Sequence, residues 1–200
     1  MDKLSAEGYD TDKDQKRLEI YQEYFPPREQ HISLLELGVG AGGSLEMWRD
    51  WFINGTIVGI EKDVSRIKLP TTERIFCYIK HQENTRALRE VSHLHAPGGW
   101  DIIIDDASHR GDLTRISFRG LFGHLKGGGL YIIEDWGTSY MDDPAYDGMP
   151  YTGENHLAGM VGFLKELIDN LAQGRISGFQ EQSPFERIVF APGLAIVRKA

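Results

Sequence analysis

Two stretches of the chain end in clustered acids, Ile104-Asp105-Asp106-Ala107-Ser108-His109 and Ile133-Glu134-Asp135-Trp136. Each follows an apolar run, Ile102-Ile103-Ile104 or Tyr131-Ile132-Ile133, of the kind that forms a strand buried on both faces. In an open α/β sheet the ligand sits outside the carboxyl ends of the strands, so Asp106, Glu134 and Asp135 are expected to converge on one crevice. Three carboxylates held together repel unless a proton or a cation intervenes. An all-oxygen set selects a hard ion: magnesium fits, manganese also fits, and zinc is disfavoured with one histidine and no cysteine in these segments. His109 takes a proton near neutral pH and is the candidate general base, with metal ligation and a plain loop position as its other readings. Geometry sets a condition on this arrangement. Neighbouring strand residues point to opposite sides, so Glu134 and Asp135 can share an ion only if the strand stops and the backbone turns. The same rule separates Asp106 from Asp105, which is grouped with the cofactor side although a helix cap or solvated strand end is its simpler reading.

A second feature precedes these acids. Ile32 to Leu37 reads as a short strand running into Gly38-Val39-Gly40-Ala41-Gly42-Gly43, after which Ser44 can cap a helix carrying Leu45, Trp48 and Phe52 on one side. Glycines directly after a strand let a nucleotide approach the backbone, which makes Gly38, Gly40, Gly43 and Ser44 candidate cofactor contacts. Gly38, Gly40 and Gly43 also satisfy the dinucleotide pattern, and acidic Glu61 ends the next strand as that pattern wants, so a nicotinamide-dependent oxidoreductase is a rival reading. Glu36 favours S-adenosylmethionine, because an acid two residues before the first glycine can meet a methionine amino group but repels a pyrophosphate. Glu61 would accept from the ribose hydroxyls. Gln82, at the end of the third strand, is placed beside the adenine, with Asn84 as the cap of the following helix.

Strands and helices must alternate to position these groups, and they do. Thr56–Glu61, Arg74–Lys80, Trp100–Asp106 and Leu130–Asp135 read as strands, with Asn84–Leu94 and Leu113–Leu125 as helices. An N-terminal helical segment within residues 1–30 carries Leu18, Tyr21, Tyr24 and Phe25 and stops at Pro26-Pro27. A later helix aligns Met160, Leu164, Leu167 and Leu171 in one apolar stripe, which is core. Arg187–Phe190 and Leu194–Arg198, separated by Pro192-Gly193, read as a hairpin. The expected fold is a Rossmann-like, doubly wound, mostly parallel seven-stranded α/β sheet with a C-terminal antiparallel hairpin, in a single domain spanning 1–200. Residues 136–157 lack either periodicity and read as a long loop, a substrate lid into which His156 could return.

The 200 residues, 40% hydrophobic, suit one globular domain. A net charge of −8 gives no basic footprint, so nucleic acid and anionic membranes are disfavoured as partners. Cys77, the single cysteine, sits in an apolar run and is expected to be a buried thiol in a reducing compartment, the cytoplasm. No apolar stretch approaches the roughly 20 residues that span a bilayer.

The motifs Asp106-Ala107-Ser108-His109 and Glu134-Asp135-Trp136-Gly137-Thr138-Ser139-Tyr140 resemble those of the metal-dependent O-methyltransferases that modify sugars of macrolide antibiotics, the mycinamicin and demethylmacrocin type. The resemblance extends to Thr11-Asp12-Lys13, Leu34–Trp48 and the helix from Gly162 to Leu171. It implies magnesium on Asp106, Glu134 and Asp135, His109 as base, and Glu36, Gly38 and Glu61 at the S-adenosylmethionine site. It further implies a small-molecule hydroxyl as methyl acceptor, a sugar or glycosylated natural product. A catechol-type acceptor remains an alternative, and similar motifs occur in proteins called cephalosporin hydroxylases. Members of the family carry an additional N-terminal region beyond the stretch matched here, which puts their oligomeric assembly and part of their substrate pocket in doubt for this chain and leaves a homo-oligomer an open expectation. Tyr140-Met141-Asp142-Asp143-Pro144 replaces the aromatic pair expected after the Thr-Ser, which points to a different acceptor.

Overall fold

The computed structural model describes residues 3–68, 73–147, 158–173 and 183–200. Asp14 starts helix α1 (Gln15–Tyr24) by accepting from the amides of Lys16 and Arg17, satisfying donors that a first turn leaves open. There follow β1 (Ser33–Leu37), α2 (Gly43–Trp51), β2 (Thr56–Glu61), β3 (Ile75–Ile79), α3 (Thr85–His95) and β4 (Trp100–Asp105). The chain continues through α4 (Gly111–Leu121), β5 (Leu125–Glu134), α5 (Gly159–Gln173), β6 (Phe185–Ala191) and β7 (Leu194–Lys199).

The strands form one seven-stranded sheet in the order β3-β2-β1-β4-β5-β7-β6. β1 to β5 run parallel, and β7 is antiparallel to both β5 and β6. The expected mostly parallel sheet with a C-terminal hairpin is therefore present. Strand order reverses between β1 and β4, the switch point where α/β sheets open a ligand crevice. The two loops that meet there could not be bulkier. A Cβ on Gly38 (φ +80°) would stand 2.2 Å from the Asp106 carbonyl oxygen.

Alternation along the strands assigns each face a core. Leu35, Leu37, Ile103 and Ile133 pack with Leu88, Phe118, Phe163 and Leu164 beneath α3, α4 and α5. Leu34, Ile102, Ile104 and Ile132 pack with Leu18, Tyr21, Leu45 and Trp48 beneath α1 and α2. The Met160–Leu171 stripe lies in the first of these cores, as expected. Phe118 is clasped by the rings of Phe122, Tyr131 and Phe163 at 4.8, 4.8 and 5.4 Å. Truncating it to alanine would cost about 3–5 kcal/mol.

Several expectations are corrected. Ser44 does not cap α2. Gly42, in a left-handed conformation, is the N-cap, and Ser44 lies inside the helix with its hydroxyl on Glu36. The helix expected over Leu113–Leu125 ends at Leu121 and tightens into a 3-10 turn at Phe122–His124, while β5 begins at Leu125 rather than Leu130. The glycines at 127–129 sit in a strand whose register with β4 shifts between Trp100 and Ile102, where an irregular ladder tolerates residues without side chains. Trp136–Tyr140 forms a 3-10 helix instead of open loop. The rest of the expected lid, 148–157 with Tyr151 and His156, lies outside the described residues. Cys77 is only partly buried, because β3 is an edge strand. Burial and the nearby Glu61 carboxylate still push its thiol up to about 11.

Candidate active site

A cleft of about 600 Å³ opens at the switch point, walled by Asp10–Lys13, Gly38–Ala41, Ile60–Lys62, Lys80–Glu83 and Asp106–His109. Gly38, Gly40, Ser44, Glu61, Gln82, Asp106 and His109 line it, as the sequence suggested. The glycine loop presents an open cradle. A Cβ on Gly40 (φ +54°) would meet nothing nearer than the Arg66 guanidinium at 3.5 Å. Glu61 braces this loop: one carboxylate oxygen accepts from the Gly40 amide at 3.0 Å and the other from Lys62 and Asp63 at 2.9 and 3.1 Å. A carboxylate offers about four lone-pair sites, so capacity remains for a ribose hydroxyl.

Gly43, Glu36, Asp105, Glu134 and Asp135 are not among the lining residues. Gly43 packs against the N-terminal segment, where a Cβ would meet the Asp10 backbone at 2.3 Å. Its small size serves packing. Glu36 is fully buried on the α2 side of β1, accepting from Ser44 (2.7 Å) and Trp48 (3.1 Å). The charge argument that set Glu36 opposite a methionine amino group is thus corrected: the ammonium it faces is Lys13, at 3.2 Å. Asp105 points away from Asp106, as strand alternation requires. It accepts from Ser117 (2.5 Å), Tyr131 (3.2 Å) and Gln82 (3.4 Å), and burial raises its carboxyl to about 6 against these hydrogen bonds. It holds the Gln82 amide from beneath.

The carboxylate cluster contains a feature that sequence reasoning missed. Lys13, 3% exposed, places its ammonium 2.5 Å from Glu134, 2.8 Å from Asp106 and 3.2 Å from Glu36. Burial disfavours its charged form, but Glu134, Glu36 and Asp106 outweigh that and raise it well above the ordinary lysine range. Arg17 bridges Glu134 (2.5 Å) and Asp135 (2.7 Å), and the Tyr21 hydroxyl donates to Glu134. Glu134 is thereby held below its ordinary range, since Lys13 in particular overcomes the cost of burial. Asp106 and Glu36 are raised, because burial prevails there over the attraction of Lys13. The cation that three acids demanded is in part the protein's own. The resemblance took in Thr11-Asp12-Lys13, but nothing local to the acids identifies Lys13 or Arg17 as their partners.

The condition on Glu134 and Asp135 is met. Asp135 adopts a left-handed conformation (φ +51°, ψ 34°), so the backbone turns as β5 ends and both carboxylates reach Arg17. His109 is the other non-glycine residue with positive φ among those described, at +54°. Such strain concentrates where surrounding structure enforces it. Here the Thr138 hydroxyl donates to the His109 carbonyl at 2.9 Å, tying the two turns together.

Ligand atoms of Asp106, His109 and Asp135 lie within 4.8 Å of one another, as do those of Glu36, Asp106 and Glu134. Lys13 fills the second group. The first is partly exposed, and its two carboxylates fit a hard divalent ion beside the His109 imidazole, whose Nε2 lies 3.9 Å from Asp106 Oδ1 and whose Nδ1 is buried without a hydrogen-bond partner among the described residues.

No family model matches the sequence. Over 194 residues it is 36% identical to an 8-demethyl-8-alpha-L-rhamnosyl tetracenomycin-C 2'-O-methyltransferase from Streptomyces olivaceus, covering 90% of this chain and 49% of that protein. The demethylmacrocin O-methyltransferase of Streptomyces fradiae is 33% identical over 171 residues, 82% of this chain and 41% of the relative. Among solved structures, the MycE methyltransferase of the mycinamycin biosynthetic pathway, in complex with Mg, SAH and mycinamycin VI, superposes with a TM-score of 0.79 at 30% identity, over 92% of this chain and 48% of that one. The chain is related to the macrolide-sugar O-methyltransferases. Its sheet is the class I methyltransferase sheet, and the resemblance to these enzymes is borne out. The chain spans about half the length of the curated relatives it matches.

Proposed function

We propose that this chain is an S-adenosylmethionine-dependent, divalent-ion-assisted O-methyltransferase whose acceptor is a sugar hydroxyl of a glycosylated natural product. The observation that carries the reading is the convergence of Asp106, His109 and Asp135 beside the glycine-loop cleft, in a relative of sugar O-methyltransferases. When bound, the divalent ion would supply Lewis-acid polarisation of the acceptor hydroxyl and S-adenosylmethionine the electrophilic methyl group. Asp106 and Asp135 would hold magnesium, and the same hard donors accommodate manganese. His109 Nε2 takes the proton that the acceptor hydroxyl gives up. Gly38, Gly40 and Glu61 hold the nucleoside, and the Asp105-supported Gln82 flanks its base. Little covalent chemistry falls to the side chains, so orientation supplies most of the acceleration. The Tyr140–Tyr146 stretch, which packs Tyr146 against His109 with ring centroids 6.1 Å apart, would shield the site from water.

Two measurements test this. Calorimetry with S-adenosylhomocysteine is expected to show micromolar binding, whereas binding of NAD in its place would restore the oxidoreductase reading. Transfer of labelled methyl to a panel of glycosylated macrolides and rhamnosides is expected to need magnesium. It should fall about 10²–10⁴-fold in His109→Ala, while nucleoside affinity stays within a factor of two or so. Full transfer by His109→Ala would remove the assigned base.

A further inference from the structure

Lys13 and Arg17 serve the same acids but are held differently. Lys13 is sealed, with a side chain 1% exposed and three carboxylates around its ammonium. The Arg17 side chain is 16% exposed, and one of its two partners, Asp135, is 34% exposed. Its guanidinium lies against the β6–β7 turn, where a Cβ on Gly193 would stand 3.2 Å from Nη2. Asp135, the acid at the open end of this bridge, also belongs to the donor group with Asp106 and His109.

Asp135 is the most exposed of the four acids and meets Arg17 through one guanidinium nitrogen, and a divalent ion carries twice the charge of that guanidinium. Coulomb attraction at these distances is several-fold stronger than in bulk water because the site is largely buried. Displacing Lys13 would break three contacts to carboxylates in a dry pocket, whereas freeing Asp135 from Arg17 breaks one contact at its exposed end.

We propose that Arg17 is a displaceable counter-ion of this centre: a divalent ion competes with its guanidinium for Asp135 and releases it, while Lys13 stays in place. This rests on the proposed ion site between Asp106 and Asp135. The start of α1 thereby reports ion occupancy, since Arg17 lies in its first turn beside the cleft-lining residues Asp10–Lys13.

The test is calorimetric titration of Mg²⁺ into the full chain, the wild type against Arg17→Gln and Arg17→Lys. Competition predicts about tenfold tighter or better Mg²⁺ binding for Arg17→Gln, equivalent to about 1.4 kcal/mol, with Arg17→Lys near wild type. If Arg17 were instead a scaffold for Asp135, Arg17→Gln would bind Mg²⁺ equally or more weakly, and the proposal is overturned. It is likewise overturned if neither protein binds Mg²⁺. Should Arg17→Gln fail to fold, the wild-type protein decides: its arginine side-chain ¹H–¹⁵N signals are followed on adding Mg²⁺. Narrowing of the slow, hydrogen-bonded Arg17 guanidinium signal supports release, and ion binding that leaves the signal unchanged refutes it. S-adenosylhomocysteine binding, measured separately, tells the two readings apart. Its absence with tightened Mg²⁺ binding would sink the methyltransferase and keep the counter-ion.

Discussion

Glu61 and Glu134 are both buried acids at strand ends, yet they are satisfied in opposite ways. Glu61 takes backbone amides, two of them within two residues and the third from the glycine loop. Glu134 takes Lys13, Arg17 and Tyr21 from 121, 117 and 113 residues away. A carboxylate met by local amides is fixed as soon as its strand and loop form. One met by distant cations is fixed only when a separate helix docks. The cofactor end of the cleft is thus built from local geometry, and the acid end from a long-range contract with the N-terminal segment.

The sharpest way to break this contrast is Lys13→Met. It leaves three carboxylates with no ammonium among them, and removing one partner of a buried ion cluster typically costs about 3–5 kcal/mol. Urea unfolding monitored by tryptophan fluorescence should show a loss of that order in magnesium-free buffer. A loss under about 1 kcal/mol would mean that the cluster simply takes up protons and that Lys13 is not its keystone.

Asp105 provides a smaller effect of defined sign. Burial raises its folded carboxyl from an ordinary 3.8 to about 6. Its contribution to stability is therefore complete below about pH 4 and is lost as pH rises through about 6. A shift of about two units corresponds to about 3 kcal/mol at most. Measured from pH 4 to pH 7, wild type should lose stability relative to Asp105→Asn by roughly that amount. Parallel pH profiles for the two proteins would show that Ser117, Tyr131 and Gln82 hold the ionised form without cost.

The same contrast explains what could be read from the chain. The parallel sheet, the switch-point crevice, the glycine cradle and the strand-end acids follow from periodicity and spacing, and each involves neighbours in sequence. Glu36 looked like a ligand because its charge was visible while its partner Lys13 was not. Gly43 looked like part of the cradle because the chain that crosses it, at Asp10, is remote in sequence. The turn at Asp135 could be demanded but not seen, since no glycine marks it.

Glu61→Gln tests the local end, and its effects should be the smallest. The amide keeps one acceptor oxygen for the loop amides but loses the charge, so stability should fall by about 1 kcal/mol. Affinity for S-adenosylhomocysteine should weaken by about tenfold. Cys77 offers an independent readout that needs no ligand. Its thiol is pushed up to about 11 by burial first and by the Glu61 carboxylate second. The thiolate is the reactive form, so wild-type Cys77 should react with iodoacetamide at pH 8 about 100-fold more slowly than an unhindered thiol of ordinary pKa. Removing the Glu61 charge should recover a few-fold of that rate and no more, because burial is unchanged. A rate that fails to rise in Glu61→Gln would mean that the loop amides already neutralise the carboxylate, and a rise of the full 100-fold would mean that β3 has opened.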